Sequence, residues 1–156
     1  MPKPKYLLLI CFLGLINTVC ADEVLPPDEA FALTVKVKNK NTLLLSWDIA
    51  DQHYLYQQKF KFTSATTGIT LGQPIFPAGE IKQDKFFGTV TIYREHLDIE
   101  LPLQYYSPEL NKLDLNVSFQ GCADVGICYM PIEKTVAIDL AISSLLQRLD
   151  TLLQGK

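Results

Sequence analysis

Basic charge is in short supply along this chain. Its 14 lysine and arginine residues are outnumbered by 17 acidic ones, leaving a formal net charge of −3 with no basic stripe. That excludes the electrostatic footprint of a nucleic-acid binder. Histidine is scarcer, with only His53 and His96. Neither lies in a cysteine or carboxylate cluster along the sequence, so they read as solvated or core histidines and no metal site is expected. No Ser/His/Asp order and no phosphate-cradling glycine loop is present. Internal repeats and low-complexity tracts that would mark a second domain are also missing. Long apolar runs are lacking too. Tyr6 to Ile16 is too short to be read as a membrane span, and no later segment approaches about 20 apolar residues.

The N-terminus reads as an export leader. Met1 to Lys5 is basic, the following run is apolar, and Val19-Cys20-Ala21 has the small-residue spacing of a signal-peptidase site. Residues 1–21 are therefore expected to be a signal peptide cleaved after Ala21. Loss of Lys3 and Lys5 takes the formal charge from −3 to −5. A lipid anchor at Cys20 is the rival reading, but Asn17-Thr18-Val19 is a poor match to the pattern that precedes such a cysteine. With Cys11 and Cys20 removed in the leader, the four cysteines reduce to Cys122 and Cys128. In an oxidising compartment these pair with each other or with a partner.

Residues 22–138 read as one all-β domain. Leu25 to Phe31 is an extended lead-in and a helical turn, with Asp28 as candidate N-cap. Leu33, Val35 and Val37 then alternate with polar residues, and Asn39-Lys40-Asn41 turns the chain into Leu43, Leu45, Trp47 and Ile49. Trp47, the single tryptophan, is assigned to the core. Further strands are expected at Tyr54 to Phe62, Ile69 to Phe76, Phe87 to Tyr93 and Leu97 to Leu103. With two more around the cysteines, about eight short strands without interleaved long helices predict an immunoglobulin-like antiparallel β-sandwich. Residues 139–156 differ, because Ile142, Leu145, Leu146, Leu149, Leu152 and Leu153 recur at three and four. They predict a C-terminal amphipathic helix that packs on the sandwich or meets a partner.

The stretch from Gln120 to Pro131 carries both remaining cysteines. Leu113, Leu115, Val117 and Phe119 alternate before it, a second strand runs from Tyr129 to Ile138, and Asp124 and Gly126 supply turn chemistry between. A β-hairpin with one cysteine on each arm follows. Opposed Cα atoms about 4.5–5.5 Å apart fall within the reach of a disulfide. Two readings stay open. A staple closing a ring of roughly seven residues is worth about 2–2.5 kcal/mol, less than a long-range bridge. A pair at a hairpin tip equally suits thiol–disulfide exchange, which needs an attacking thiolate, a second thiol and access for a partner. The acidic neighbour Asp124 would oppose thiolate formation.

The wording of this segment, Ser118 to Pro131 followed by Glu133-Lys134-Thr135-Val136, closely resembles the active-site segment of the N-terminal periplasmic domain of DsbD, the thiol:disulfide interchange protein family. Asp28-Glu29-Ala30-Phe31, the Trp47 strand, Tyr54-Leu55-Tyr56, Asp84-Lys85-Phe86-Phe87-Gly88 and Ile92-Tyr93-Arg94 add matches from Val24 to Ile138. The resemblance implies a periplasmic protein-disulfide reductase module without a bound cofactor. Cys128 would be the nucleophile and Cys122 the resolving thiol. Phe86 would cap the pair, with Phe87 and Asp84 in the same loop, and Tyr54, Tyr56 and Tyr129 would line the site. Electron acceptors would be periplasmic thioredoxin-like proteins, either a disulfide isomerase or a cytochrome c maturation thioredoxin. The donor, a membrane electron carrier or a thioredoxin-like protein, would act in trans, since the chain ends at Lys156. Lys85 stands where relatives often carry an acid, and His53 where an aromatic is common, so the electrostatic setting of the thiols departs from the family pattern. The competing reading is an exported immunoglobulin-like adaptor whose disulfide is purely structural.

Overall fold

The structure is a computed structural model, and it describes residues 24–105 and 110–141. The expected signal peptide and nearly all of the expected C-terminal helix lie outside the described residues. Of that helix only its start is described, and there Asp139 still ends a strand rather than opening a helix.

Among the described residues, twelve short strands form three antiparallel sheets around a main core and a smaller second cluster. The first sheet runs in the order β1 (Phe31–Asn39), β2 (Thr42–Ile49), β8 (His96–Tyr105), β5 (Ile69–Leu71). The second has β12 (Ile132–Asp139), β9 (Lys112–Phe119) and β4 (Lys61–Ser64). The third, which carries the cysteines, runs β11 (Ile127–Cys128), β10 (Gly121–Ala123), β3 (His53–Tyr56), β7 (Gly88–Tyr93), β6 (Glu80–Asp84). Inward residues of alternating strands from all three sheets meet in the core. Leu43, Leu45, Trp47, Leu113, Leu115 and Phe119 have no solvent exposure at all, as the two-residue period predicts. Trp47 sits edge-on to Phe60 and Phe119, with ring centroids 5.0 and 5.6 Å away.

Several expected elements take a different form. The single strand expected from Tyr54 to Phe62 is two strands in two sheets, because a 3-10 turn at Gln57–Lys59 carries the chain from β3 to β4. The strand expected over Ile69 to Phe76 stops at Leu71 and returns only as an isolated bridge between Ile75 and Glu100. Pro74 explains the break, since it has no N–H for a ladder. β6 is an addition to the expected strands, because an edge strand with no fully buried residue shows no apolar alternation. Asp28 does not cap the short helix Pro27–Ala30. Pro27 occupies its first position, and Asp28 lies inside the first turn, paired with Lys134.

β3 positions the site. Leu55 faces the main core, whereas Tyr54 and Tyr56 face the other way into a second cluster with Val90, Ile92 and Cys122. This strand is therefore buried on both sides, and its outer face forms the floor beneath the disulfide.

Candidate functional site

The expected cysteine hairpin exists, but its tip belongs to a different sheet from its arms. β9 and β12 pair from Lys112↔Asp139 to Phe119↔Ile132, while beyond them β10 leaves to pair with β3. Gln120 marks the transfer, its carbonyl accepting from Tyr56 N–H and its side-chain amide donating to the Tyr129 carbonyl. Gly121 permits the crossing, since a Cβ there would lie 2.3 Å from the Tyr54 carbonyl oxygen. Cys122 and Cys128 are then register partners joined by a disulfide, with Cα atoms 3.9 Å apart. The covalent link holds them closer than the expected spacing. Gly126, at φ +90°, closes the turn between them.

The two sulfurs live in different surroundings. Cys122 is fully buried, while Cys128, on the edge strand β11, is exposed. Tyr56 lies beneath, its hydroxyl 3.3 Å from the Cys122 sulfur and donating to Asp84 Oδ2 at 2.7 Å. The Tyr54 hydroxyl stands 3.4 Å from that of Tyr56. Burial, followed by the hydrogen bonds to Tyr54 and Asp84, pushes the Tyr56 phenol far above its ordinary value. Burial works to raise the Asp84 carboxyl, but hydrogen bonds from Tyr56 and from the backbone N–H groups of Phe86 and Phe87 outweigh it and hold it below the usual range.

Those backbone bonds, 2.8 and 3.1 Å long, make Asp84 the anchor of the loop between β6 and β7. The loop projects both aromatic rings. Phe87 stands edge-on to Tyr56 at 5.3 Å, and Phe86 is 64% exposed. Phe86, Asp84, Tyr54 and Cys128 line one groove of about 240 Å³. Of the expected site residues, Tyr54, Tyr56, Asp84, Phe86 and Phe87 thus gather around the cysteine pair.

Tyr129 does not. Tyr129 follows the last residue of β11, and while Cys128 meets Cys122 the Tyr129 ring turns to Phe31 and His53 and its hydroxyl donates to the Leu25 carbonyl at 2.7 Å. His53 is a core histidine, its ring nitrogens 2.7 Å from the Asp51 carbonyl and 3.1 Å from the Tyr129 hydroxyl. His96 is exposed and, contrary to the expectation that it lacks carboxylate neighbours, lies 2.9 Å from Asp48 and 3.0 Å from Asp98. No group of three or more histidine, cysteine, aspartate or glutamate side chains that could hold a metal occurs among the described residues.

Asp124 behaves differently from its reading as a free acid beside the thiols. Arg94 grips it with two bonds of 2.8 and 2.9 Å, which lowers its pKa. The same guanidinium lies 5.0 Å from the Tyr54 ring and 3.5 Å from Glu80. Arg94 thereby ties the cysteine turn to β7. The pairing spans 30 positions and joins two short loops, so nothing in the local sequence announces it.

An immunoglobulin-like sandwich that presents a cross-strand disulfide, one cysteine buried and the other lining a groove, defines the class of this domain. Residues 21–140 match the family described as "Thiol:disulfide interchange protein DsbD, N-terminal". The chain belongs to that family. It is 36% identical over 125 residues to the thiol:disulfide interchange protein DsbD of Klebsiella pneumoniae, covering 80% of this chain and 20% of that protein. It spans about a fifth of the length of the curated relatives it matches. Among solved structures, the reduced DsbD N-terminal domain of Neisseria meningitidis superposes with a TM-score of 0.67 at 34% identity, covering 74% of this chain and 90% of that one. The complex between the DsbD and PilB N-terminal domains of Neisseria meningitidis matches with a TM-score of 0.61 at 32% identity, covering 76% and 89%.

Proposed function

We propose that this domain is a periplasmic protein-disulfide reductase module that passes electron pairs between protein dithiols through Cys122 and Cys128. The carrying observation is the unequal burial of the two cysteines, Cys122 fully buried and Cys128 exposed and lining a groove. Residue exposure favours attack at Cys128, which makes it the interchange cysteine of this reading and Cys122 the resolving one.

Loading begins when a donor thiolate attacks the Cys128 sulfur. The Cys122–Cys128 bond breaks, Cys122 leaves as a thiolate, and a mixed disulfide joins donor to Cys128. The donor's second thiolate then attacks its own sulfur in that bond, closing the donor disulfide and releasing Cys128 as a thiolate. Two electrons have moved onto this domain, and two protons from solvent complete the thiols. Delivery is the reverse sequence on an acceptor: the Cys128 thiolate opens the acceptor disulfide, and Cys122 then displaces the acceptor by re-forming its bond to Cys128.

Acceptors of this reading are periplasmic thioredoxin-like proteins, a disulfide isomerase or a cytochrome c maturation thioredoxin, with electrons supplied from outside this domain by a membrane carrier or a thioredoxin-like dithiol. The Neisseria complex supports docking of another protein's domain on a member of this family. Trapping tests the proposal. With Cys122→Ser the resolving step is lost, and Cys128 should accumulate mixed disulfides with periplasmic thioredoxin-like proteins. An empty trap, together with a reduction potential below about −300 mV, would mark the bond as structural.

A further inference from the structure

Two lysines stand on the exposed aromatic rings of the cap loop. The Lys59 ammonium lies 4.0 Å from the Phe87 ring centre, and that of Lys85 lies 4.7 Å from the Phe86 ring centre. Neither has a carboxylate within salt-bridge distance among the described residues. The acids nearby are engaged. Asp124 and Glu80 both pair with Arg94, and Asp84 accepts from Tyr56 and two backbone N–H groups. Lys82, over the Tyr54 ring at 5.0 Å, lies near enough to Asp84 and Asp124 to help keep both ionised. A chain with a net charge of −3 thus places Lys85 in the lining of its redox groove and Lys59 on the ring of Phe87, the neighbour of Phe86 in the cap loop.

That rim is also apolar. Phe86 on one hairpin tip, Val125 and Ile127 on the other and Met130 just past Cys128 are 64%, 48%, 51% and 82% exposed. A protein that reaches Cys128 must cover these side chains and, with them, the ammonium groups resting on the rings. Burying an unpaired ammonium is costly unless the incoming surface supplies a counter-charge.

Building on the exchange reading above, we infer that this face selects redox partners whose exposed cysteine is bordered by carboxylates, with Lys59 and Lys85 as the specificity-determining contacts. The partner is a folded thiol:disulfide protein with an acidic rim around its disulfide. Lys59 and Lys85 act on docking rather than on the chemistry of the sulfurs.

The test uses the chain in its reduced form and three cyclic disulfide peptides that differ only in flanking residues: glutamate, serine or lysine. Second-order oxidation rates are read by quenched alkylation and mass spectrometry, each divided by the rate with uncharged hydroxyethyl disulfide to remove differences in thiol reactivity. At low ionic strength the glutamate peptide should react at least about five-fold faster than the lysine peptide, and the ratio should collapse toward one near 0.5 M salt. K59E/K85E should invert the order. Equal rates for the three peptides, or a ratio indifferent to salt, would overturn the acidic-rim inference while leaving the exchange reading intact. No reaction with any disulfide would overturn the exchange reading itself. The salt dependence of the unaltered chain decides the matter even if the double variant fails to fold.

Discussion

The hydroxyl of Tyr56 lies between the Asp84 carboxylate at 2.7 Å and the Cys122 sulfur at 3.3 Å. Its single proton goes to Asp84, so it turns a lone pair toward the sulfur and suits a protonated Cys122 thiol. Asp84 is itself held ionised, and its charge further disfavours a thiolate nearby. Asp84→Asn should remove that charge and free the Tyr56 proton for the sulfur. With Cys128→Ser as background, the Cys122 pKa should then fall. Thiolate absorbance at 240 nm across a pH series measures it, and an unchanged or raised value would contradict this account.

Two glycines in the cysteine segment should respond differently to alanine. At Gly126 nothing lies within 4 Å of where a Cβ would stand, and the only penalty is the backbone at φ +90°, about 1–2 kcal/mol. At Gly121 the Cβ would meet the Tyr54 carbonyl at 2.3 Å and the Phe31 ring at 2.7 Å. Relief requires β10 to move away from β3, at a cost of about 3 kcal/mol or more. In urea unfolding, Gly121→Ala should lose more stability than Gly126→Ala, and equal losses would mean that the two strands do not approach this closely.

The contrast between arms and tip shows what the sequence could convey. Alternation from Leu113 to Phe119 and a turn at Asp124 to Gly126 are local signals, and they place Cys122 opposite Cys128 correctly. The transfer of the tip to another sheet depends on contacts with β3, far away in sequence, and leaves no local mark. Tyr54-Leu55-Tyr56 reads as a strand, but its break at Gln57 has no proline or glycine to signal it. Tyr129 departs from its expected place because the chain just past β11 turns its ring against Phe31, a contact between residues far apart in sequence. The Arg94–Asp124 clamp joins charged residues that are individually ordinary.

That clamp has a pH signature. Asp124 titrates lower in the folded chain than in the unfolded one, its hydrogen bonds from Arg94 being the main cause. The stability it contributes is present above the unfolded carboxyl value near 3.8 and is lost as pH falls through its folded value. Both side chains are about one-third exposed, which screens the pair to about 1 kcal/mol. Arg94→Gln should lower Tm by a few degrees at pH 7 and by clearly less at pH 3. Thermal melts at both values test this, and an equal loss at both would assign Arg94 to packing alone.

Phe86 and Phe87 leave the same loop but do different work. Phe87 rests edge-on against the buried Tyr56, whereas Phe86 stands at the rim of the groove lined by Cys128. If Phe86 restricts approach to that sulfur, Phe86→Ala should speed reduction of the disulfide by dithiothreitol roughly several-fold with little loss of stability, since the ring is mostly exposed. Phe87→Ala should instead lower stability by about 1 kcal/mol through the lost edge-on contact with Tyr56. Stopped-flow reduction and urea titration of both variants separate the roles. A dithiothreitol rate that is the same with and without the Phe86 ring would remove any capping role for it, and the protection of Cys128 would then rest on the geometry of the edge strand itself.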